Sequence, residues 1–118
     1  MNLRSSEVAF LKALALSNES WSQAAIEALS DPPSAEWSEQ RAAWAALAAH
    51  LSNPEAREAF HAVLSELLSG LTHSFLVTLD GGSSLAETTS LTIQDDQGIT
   101  FKSFLHEFWP TYGGAAGA

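Results

Sequence analysis

The period of the hydrophobic pattern changes near Gly70, and this change constrains the fold more than any other feature of the chain. Before Gly70, apolar residues recur three and four positions apart, which is the spacing of a helix with one buried face. After Gly70, apolar and polar residues alternate, which is typical of a strand with one face in solvent. The sequence therefore predicts an α+β domain, with helices first and an antiparallel sheet afterwards.

Four helices are predicted in the first part of the chain. They cover approximately residues 3–16, 20–29, 34–51 and 54–69. Ser20 and Gln23 fit a capping box at the start of the second helix, after a break that begins at Asn18. Asn53 and Pro54 fit an N-cap and a first helical residue at the start of the fourth. The best core candidates are large apolar residues seven positions apart in the third helix, namely Trp37, Trp44 and Leu51.

Three antiparallel strands are predicted in the second part. The apolar residues that would face the helices are Phe75, Val77, Leu79, Leu91, Ile93, Ile99 and Phe101. The stretch from Asp95 to Gly98 is typical of a tight reversal. Ser103 is expected to cap a short C-terminal helix that ends at Pro110. In this helix Phe104 with Phe108, and Leu105 with Trp109, are predicted to form two pairs four positions apart. The predicted architecture is thus four N-terminal helices packed on a three-stranded antiparallel meander, with a short C-terminal helix.

One domain is expected over residues 1–112, because a chain of 118 residues is long enough for a single core. Residues 113–118 are only glycine and alanine, which bury too little surface to offset the entropy of ordering, so a flexible tail is predicted. The chain has no uncharged run of about 18 residues. Neither a signal peptide nor a membrane span is therefore predicted, and a cytoplasmic location is expected.

Charge and cysteine content exclude several classes of protein. The chain has 14 acidic and 5 basic residues, a formal net charge of −9 and no cysteine. The lack of cysteine excludes disulfides, thiolate catalysis and zinc–thiolate sites. The negative field repels phosphate backbones and anionic lipids, so neither nucleic acid nor a membrane is expected as a partner. The acidic residues, Glu7 among them, are spread along the chain and are expected to form solvated surface.

The sequence Asp80-Gly81-Gly82 raises the question of an anion site, since successive backbone amides without side-chain bulk can form a concave nest. The motif lacks the spacing of a phosphate-binding loop or a dinucleotide fingerprint, and two serines follow it rather than a lysine-bearing helix. A plain turn between strands is the prediction.

Asp80, Glu87, His106 and Glu107 are the candidates for a metal or acid–base site, because carboxylates and neutral imidazole bind metal ions and carry protons. His106 and Glu107 are adjacent, so they would point about 100° apart on a helix, which does not favour shared ligation. A structural or surface role is the alternative. No catalytic residue and no cofactor are predicted.

Glu58 and His61 lie three positions apart on the predicted fourth helix and resemble half of a di-iron carboxylate motif. The second copy of that motif is missing, so an exposed polar pair is expected. His50 and His73 lie near predicted element ends and have no recognisable partner.

The segment Phe75 to Gly82, followed by Asp96-Gln97-Gly98 and by Leu105-His106-Glu107-Phe108, resembles a pattern in small uncharacterised bacterial domains, some of immunity-protein type. It covers less than a third of the chain. The resemblance implies a bacterial α+β domain without established catalysis. It also implies that Asp80, Gly81, Gly82, His106 and Glu107 form a structural corner that joins a hairpin to a helix.

These observations favour a non-enzymatic, acidic protein-interaction domain. Its charge would speed encounter with a basic protein, such as a toxin domain neutralised in the manner of an immunity protein. Two alternatives stay open. One is a small metal-binding protein or metal-dependent enzyme that uses the His106 and Glu107 region. The other is a structural subunit whose tryptophan-rich helices pack between copies. The expected state is a monomer or a homodimer.

Overall fold

A computed structural model describes residues 3–30 and 34–113. Its elements are α1 (Ser5–Ala28), α2 (Arg41–His50), α3 (Pro54–Leu79), a short 3₁₀ helix (Ser84–Glu87) and α4 (Leu105–Tyr112). Within the two described ranges there is no β-strand, and Gln94 and Thr100 form only an isolated bridge. The prediction of an α+β domain with a three-stranded meander is therefore wrong, because the described part of the chain is helical.

Helix α1 continues through the position where the sequence predicted a break. The Asn18 side chain donates a hydrogen bond to the Thr72 hydroxyl on α3 at 2.9 Å. One turn further along, the hydroxyls of Ser22 and Ser65 lie 3.2 Å apart. These polar residues lie in the interface between two antiparallel helices, where each finds a partner across the gap. They do not end the helix, because their hydrogen bonds are made between helices rather than to their own backbone.

Helix α3 begins as predicted and then continues past its predicted end. The Asn53 side chain caps it by accepting from the Ala56 amide at 2.7 Å, and Pro54 is the first helical residue. Gly70 lies inside the helix, and the segment predicted as the first strand, Phe75 to Leu79, forms its last turns. Continued helix places Leu76 in the core, and this tertiary contact outweighs the local alternation of apolar and polar residues.

The Asp80-Gly81-Gly82 sequence ends α3 instead of joining two strands. The Gly82 amide donates to the Val77 carbonyl at 2.9 Å, and the Gly81 amide donates to the Thr78 carbonyl at 3.2 Å. This pair of hydrogen bonds defines a Schellman motif, and Gly81 has the left-handed φ of 84° that the motif requires. Both glycine amides are used inside the turn, so the turn is correctly predicted and the anion nest is not formed.

The core lies where α1, α3 and α4 meet. Its fully buried members are Leu11, Leu76, Leu105 and Trp109. The indole Nε1 of Trp109 donates to both the carbonyl and the hydroxyl of Ser69, at 3.1 and 3.0 Å. The predicted pairing of Leu105 with Trp109 on α4 is therefore confirmed.

The predicted ends of α4 are wrong. Pro110 lies inside the helix, and the Gly113 amide still donates to the Trp109 carbonyl at 3.0 Å beyond it. The Ser103 hydroxyl does not cap α4, because it donates to the Glu7 carboxylate on α1. Of the predicted tail, residues 114–118 lie outside the described residues.

The tryptophans form a surface ladder rather than the centre of the core. Trp21 packs edge-on against Trp37, Trp37 against Trp44, and Trp44 against Phe60, with ring centroids 5.5, 5.8 and 6.4 Å apart. No residue of α2 is buried, and Trp37 precedes α2. The prediction of one helix over residues 34–51 that carries the core is wrong, because α2 is short and touches α1 at only one end of the molecule.

The predicted reversal after Ile93 is present without the predicted sheet. The Asp95 carboxylate accepts from the Gln97 and Ile99 amides at 2.9 and 3.0 Å, and the Phe101 amide donates to the Ile93 carbonyl at 2.8 Å. No further strand joins this reversal, because the segment expected to pair with it belongs to α3. An isolated two-stranded ribbon is only marginally stable, and here it reduces to a single bridge.

The resulting molecule is elongated, with principal extents of 48 × 29 × 24 Å and a radius of gyration of 17.4 Å. A compact domain of this length has a radius of gyration of about 13.5 Å. The long antiparallel pair of α1 and α3 sets the length, with α4 across one end and α2 at the other.

Replacement of Gly70 and of Gly81 by alanine tests the continuity and the end of α3. Gly70→Ala is expected to raise the free energy of unfolding by about 0.5–1 kcal/mol, because the site is helical and a Cβ there meets nothing within 4 Å. Gly81→Ala is expected to lower it by about 1 kcal/mol, since its φ is left-handed. Urea unfolding measures both. Destabilisation by Gly70→Ala would show that α3 does not pass through residue 70.

Candidate functional site

Two of the four predicted site residues meet at the corner between α3 and α4. Asp80 follows the last residue of α3, and His106 lies in the first turn of α4. One Asp80 carboxylate oxygen accepts from the His106 backbone amide at 3.0 Å and lies 2.6 Å from the His106 ring Nδ1. Because a carboxylate only accepts hydrogen bonds, Nδ1 carries the hydrogen in this contact. Asp80 thus caps α4 and fixes the orientation of the imidazole.

The other two predicted site residues do not join this corner. Glu87 and Glu107 are exposed, and neither side chain forms a hydrogen bond or an ion pair. Among residues 3–30 and 34–113, no group of three or more His, Asp or Glu side chains is arranged to hold a metal ion.

The contacts of the His106 ring are those of a packed side chain rather than of a catalytic base. Its ring lies edge-on to the His73 ring, with centroids 5.7 Å apart, and near the Phe104 ring at 6.2 Å. No serine or threonine hydroxyl in the described part of the chain is hydrogen-bonded to the ring. A histidine oriented by a carboxylate is competent as a base, but this one has no nucleophile beside it.

Two shallow clefts lie elsewhere on the molecule. One, of about 410 Å³, is formed by the start of α1 and the Asp95 reversal. There the Ile99 amide lowers the pKa of the exposed Asp95 carboxyl, and the Gln97 amide, the Ser6 hydroxyl and the Arg4 charge act in the same direction. The second cleft, of about 280 Å³, contains Glu58 and His61, both exposed, as the sequence predicted.

Glu7 is a buried carboxylate that the sequence did not reveal. Its residue surface is 0% exposed, although it was expected to be solvated. Its carboxylate accepts from the Arg4 amide at 2.8 Å, from the Ser103 amide at 3.1 Å and from the Ser103 hydroxyl at 3.3 Å. Burial alone would raise the pKa of the Glu7 carboxyl. The hydrogen bonds from Arg4, Ser103 and Lys102 outweigh burial, so the pKa lies below its ordinary value of 4.5. Glu7 therefore ties the start of α1 to the segment before α4.

A second feature that the sequence did not reveal is a charge-free side of α3 turned away from α1. At 3.6 residues per turn, the residues on this side lie within about 140° of one another around the helix axis. We call this set the outer face; it consists of Phe60, Val63, Leu64, Leu67, Gly70, Leu71, Ser74, Phe75 and Thr78. Its two hydroxyl residues are compatible with an apolar environment, since the Thr78 hydroxyl donates to the Ser74 carbonyl at 3.0 Å.

Most of the outer face is exposed to solvent, whereas Phe60, Leu64 and Thr78 are half-buried and Phe60 packs against Trp44 of α2. Four of its large side chains have exposed fractions of 59, 62, 69 and 46%; these are Val63, Leu67, Leu71 and Phe75, in that order. Leu16 on α1 is equally exposed, at 66%, but it lies alone between Lys12 and Glu19. Single exposed apolar residues are common, whereas a continuous apolar stripe marks an interaction surface.

Helix α3 belongs to a stretch whose length and composition would allow it to cross a membrane. The stretch Pro54–Glu87 is long enough and apolar enough to cross a bilayer, and 11% of its most apolar window is buried within the protein. No span is predicted from the sequence, because no uncharged run reaches about 18 residues. Both observations describe one property, which is that most of the apolar surface of α3 is not used by the chain itself.

The outer face could have been recognised from the spacing alone. The spacing predicts one apolar side for the fourth predicted helix, which was expected to end near residue 69; this side consists of Phe60, Val63, Leu64, Leu67 and Leu68. With the helix continued, Leu71 and Phe75 extend the same stripe by two turns. The stripe is then too long for the short helices α2 and α4 to cover.

No protein-family model, curated protein or solved structure matches this chain. The resemblance to bacterial immunity-type domains thus stays a prediction.

The Glu7 contacts predict a specific dependence of stability on pH. A carboxyl whose pKa is lowered by folding stabilises the protein above its ordinary pKa, and this contribution is lost as the pH falls through the folded-state pKa. Glu7→Gln is therefore expected to lower the free energy of unfolding by about 1–3 kcal/mol near neutral pH. The two proteins should converge well below pH 4.5.

Denaturant unfolding between about pH 7 and pH 3 measures this difference. Glu39→Gln is the control, because Glu39 is exposed and makes no comparable contacts. An unchanged difference between wild type and Glu7→Gln over this range would contradict the assignment.

Proposed function

We propose that this chain is a non-enzymatic protein-interaction module that binds its partner through the outer face of α3. The observation that carries the proposal is the continuous exposed stripe from Val63 to Phe75, which no other part of the described chain covers. An amphipathic helix that presents apolar residues at spacings of three and four is a common means of docking another helix.

The packing of α3 supports this proposal. Its inner face is held by the hydrogen bonds of Ser65 and Thr72 to α1 and of Ser69 to α4. The outer face is thereby presented on a fixed helix rather than on a loop. A preorganised apolar surface loses little conformational entropy on binding, which favours association.

The charge of the chain favours a protein over a lipid surface as the partner. Helices that lie on membranes carry lysine and arginine on their polar side. Helix α3 has Arg57 against three glutamates, Glu55, Glu58 and Glu66, and the whole chain carries −9. Anionic lipid headgroups would repel this surface.

The more specific form of the proposal retains the prediction of a basic partner. The acidic residues around the outer face would steer such a protein to it, and neutralisation of a basic toxin domain is one role of this kind. An acid–base role for the Asp80 and His106 corner is the weaker alternative, because the oriented imidazole there has no hydroxyl partner.

Photo-crosslinking in cells tests the proposed surface. A benzophenone amino acid at Leu71 is expected to form protein adducts, whereas the same group at the equally exposed Leu16 is expected to form few. Adducts are resolved by gel mobility and identified by mass spectrometry. Equal adducts at both positions, lipid adducts only, or no adducts at Leu71 would contradict the proposal.

A further inference from the structure

We propose that the partner of the outer face is a second copy of this chain, and that two copies pair through antiparallel α3 helices. This inference rests on the proposed interaction function, and it puts a second copy of the acidic chain in the place of the predicted basic partner. The resulting dimer would place α3 and its symmetry mate at the centre, with each α1 on the outside.

The spacing on the outer face fits helix pairing. Six of its residues alternate at intervals of four and three along nearly three heptads; they are Phe60, Leu64, Leu67, Leu71, Ser74 and Thr78. This is the period of residues that interlock between two long helices. Gly70 and Ser74 are small, so a second backbone can approach closely at the middle of the stripe.

The surface area of the chain agrees with an uncovered interface. The accessible surface is 7946 Å². A monomeric protein of 12.6 kDa exposes about 6,200 Å², so this chain exposes roughly 1,700 Å² more. A standard protein interface removes about 800 Å² from each partner. The excess over the whole chain is larger than the area that such an interface removes from one copy.

The distribution of charge along α3 selects the antiparallel orientation. Glu55, Glu58 and Glu66 lie in its first half, and no acidic residue occurs between Leu67 and Leu79. Parallel pairing would bring these three glutamates to the same level as their copies. Antiparallel pairing places these glutamates beside the half of the other α3 that carries no acidic residue. It also aligns the two helix dipoles in opposite directions, which is favourable. In this arrangement Leu64 of one copy lies beside Ser74 of the other, since both belong to the stripe that alternates at four and three.

The net charge gives the dimer a characteristic response to salt. Two chains of −9 repel each other, and added salt screens this repulsion without weakening apolar contacts. Self-association is therefore expected to strengthen with salt. Binding of a basic partner would weaken under the same conditions.

Sedimentation equilibrium of the full chain tests the dimer. Between about 1 and 200 μM the apparent mass is expected to rise from 12.6 kDa toward twice that value. The dissociation constant should fall when sodium chloride is raised from about 0.05 to 0.5 M. The double variant Leu67→Asp with Leu71→Asp is expected to raise the dissociation constant by about 100-fold or more. Leu16→Asp is the matched control and should leave it unchanged.

Cysteine crosslinking tests the orientation, since the chain has no cysteine of its own. Leu64→Cys and Ser74→Cys chains are oxidised separately and as a mixture. Antiparallel pairing is expected to give a disulfide only in the mixture, because like positions lie about 15 Å apart along the axis. Disulfides in each separate sample would establish parallel pairing and overturn the proposed orientation.

A missing dimer and a missing interaction surface give different experimental results. A monomer at all concentrations, with Leu71 adducts to a different protein in cells, would overturn the dimer and retain the interaction module. A Leu71 adduct of twice the chain mass supports both. Circular dichroism that is unchanged in the aspartate variants confirms that a loss of dimer is not a loss of fold.

Discussion

Helix α3 carries apolar residues on both sides, and its own chain supplies partners for only one of them. The inner side meets α1 through Thr72 and Leu76 and meets α4 through Ser69. After these contacts are made, residues 3–30 and 34–113 contain no further long helix to cover the outer face. Since burial of apolar surface is the main force in folding and association, the exposed stripe is the feature that most directly links this fold to a function.

The ends of the helix pair are fixed by two carboxylates. Glu7 holds the start of α1 to Ser103, and Asp80 ends α3 while it caps α4 through His106. Glu7 was expected to be solvated surface and Asp80 was a candidate site residue, and both serve to position α4 so that Trp109 closes the core. Asp80 and His106, which were predicted as site candidates, therefore stabilise the fold. The apolar residues of α3 that were predicted as core form the candidate binding surface.

Several local signals were predicted correctly from the sequence, although the expected Ser103 cap and the helix end at Pro110 were wrong, and signals that depend on distant contacts were missed. The Asn53 cap, the Asp95 reversal and the Leu105–Trp109 pair depend on neighbours within a few positions, so their chemistry is visible in the sequence. The breaks expected at Asn18 and Gly70 did not occur, because contacts between α1 and α3 keep both helices continuous. The same contacts turned Phe75 to Leu79 from a predicted strand into helix. The outer face was missed for this reason, as its length is apparent only when α3 is unbroken.

The most direct test of this account is the backbone conformation of α3 in solution. Carbon chemical shifts measured by NMR for residues 54–79 are predicted to be helical at every position, including those after Gly70. Extended shifts between Phe75 and Leu79 would contradict the account, because the outer face would then end at Gly70 and the core would lose Leu76.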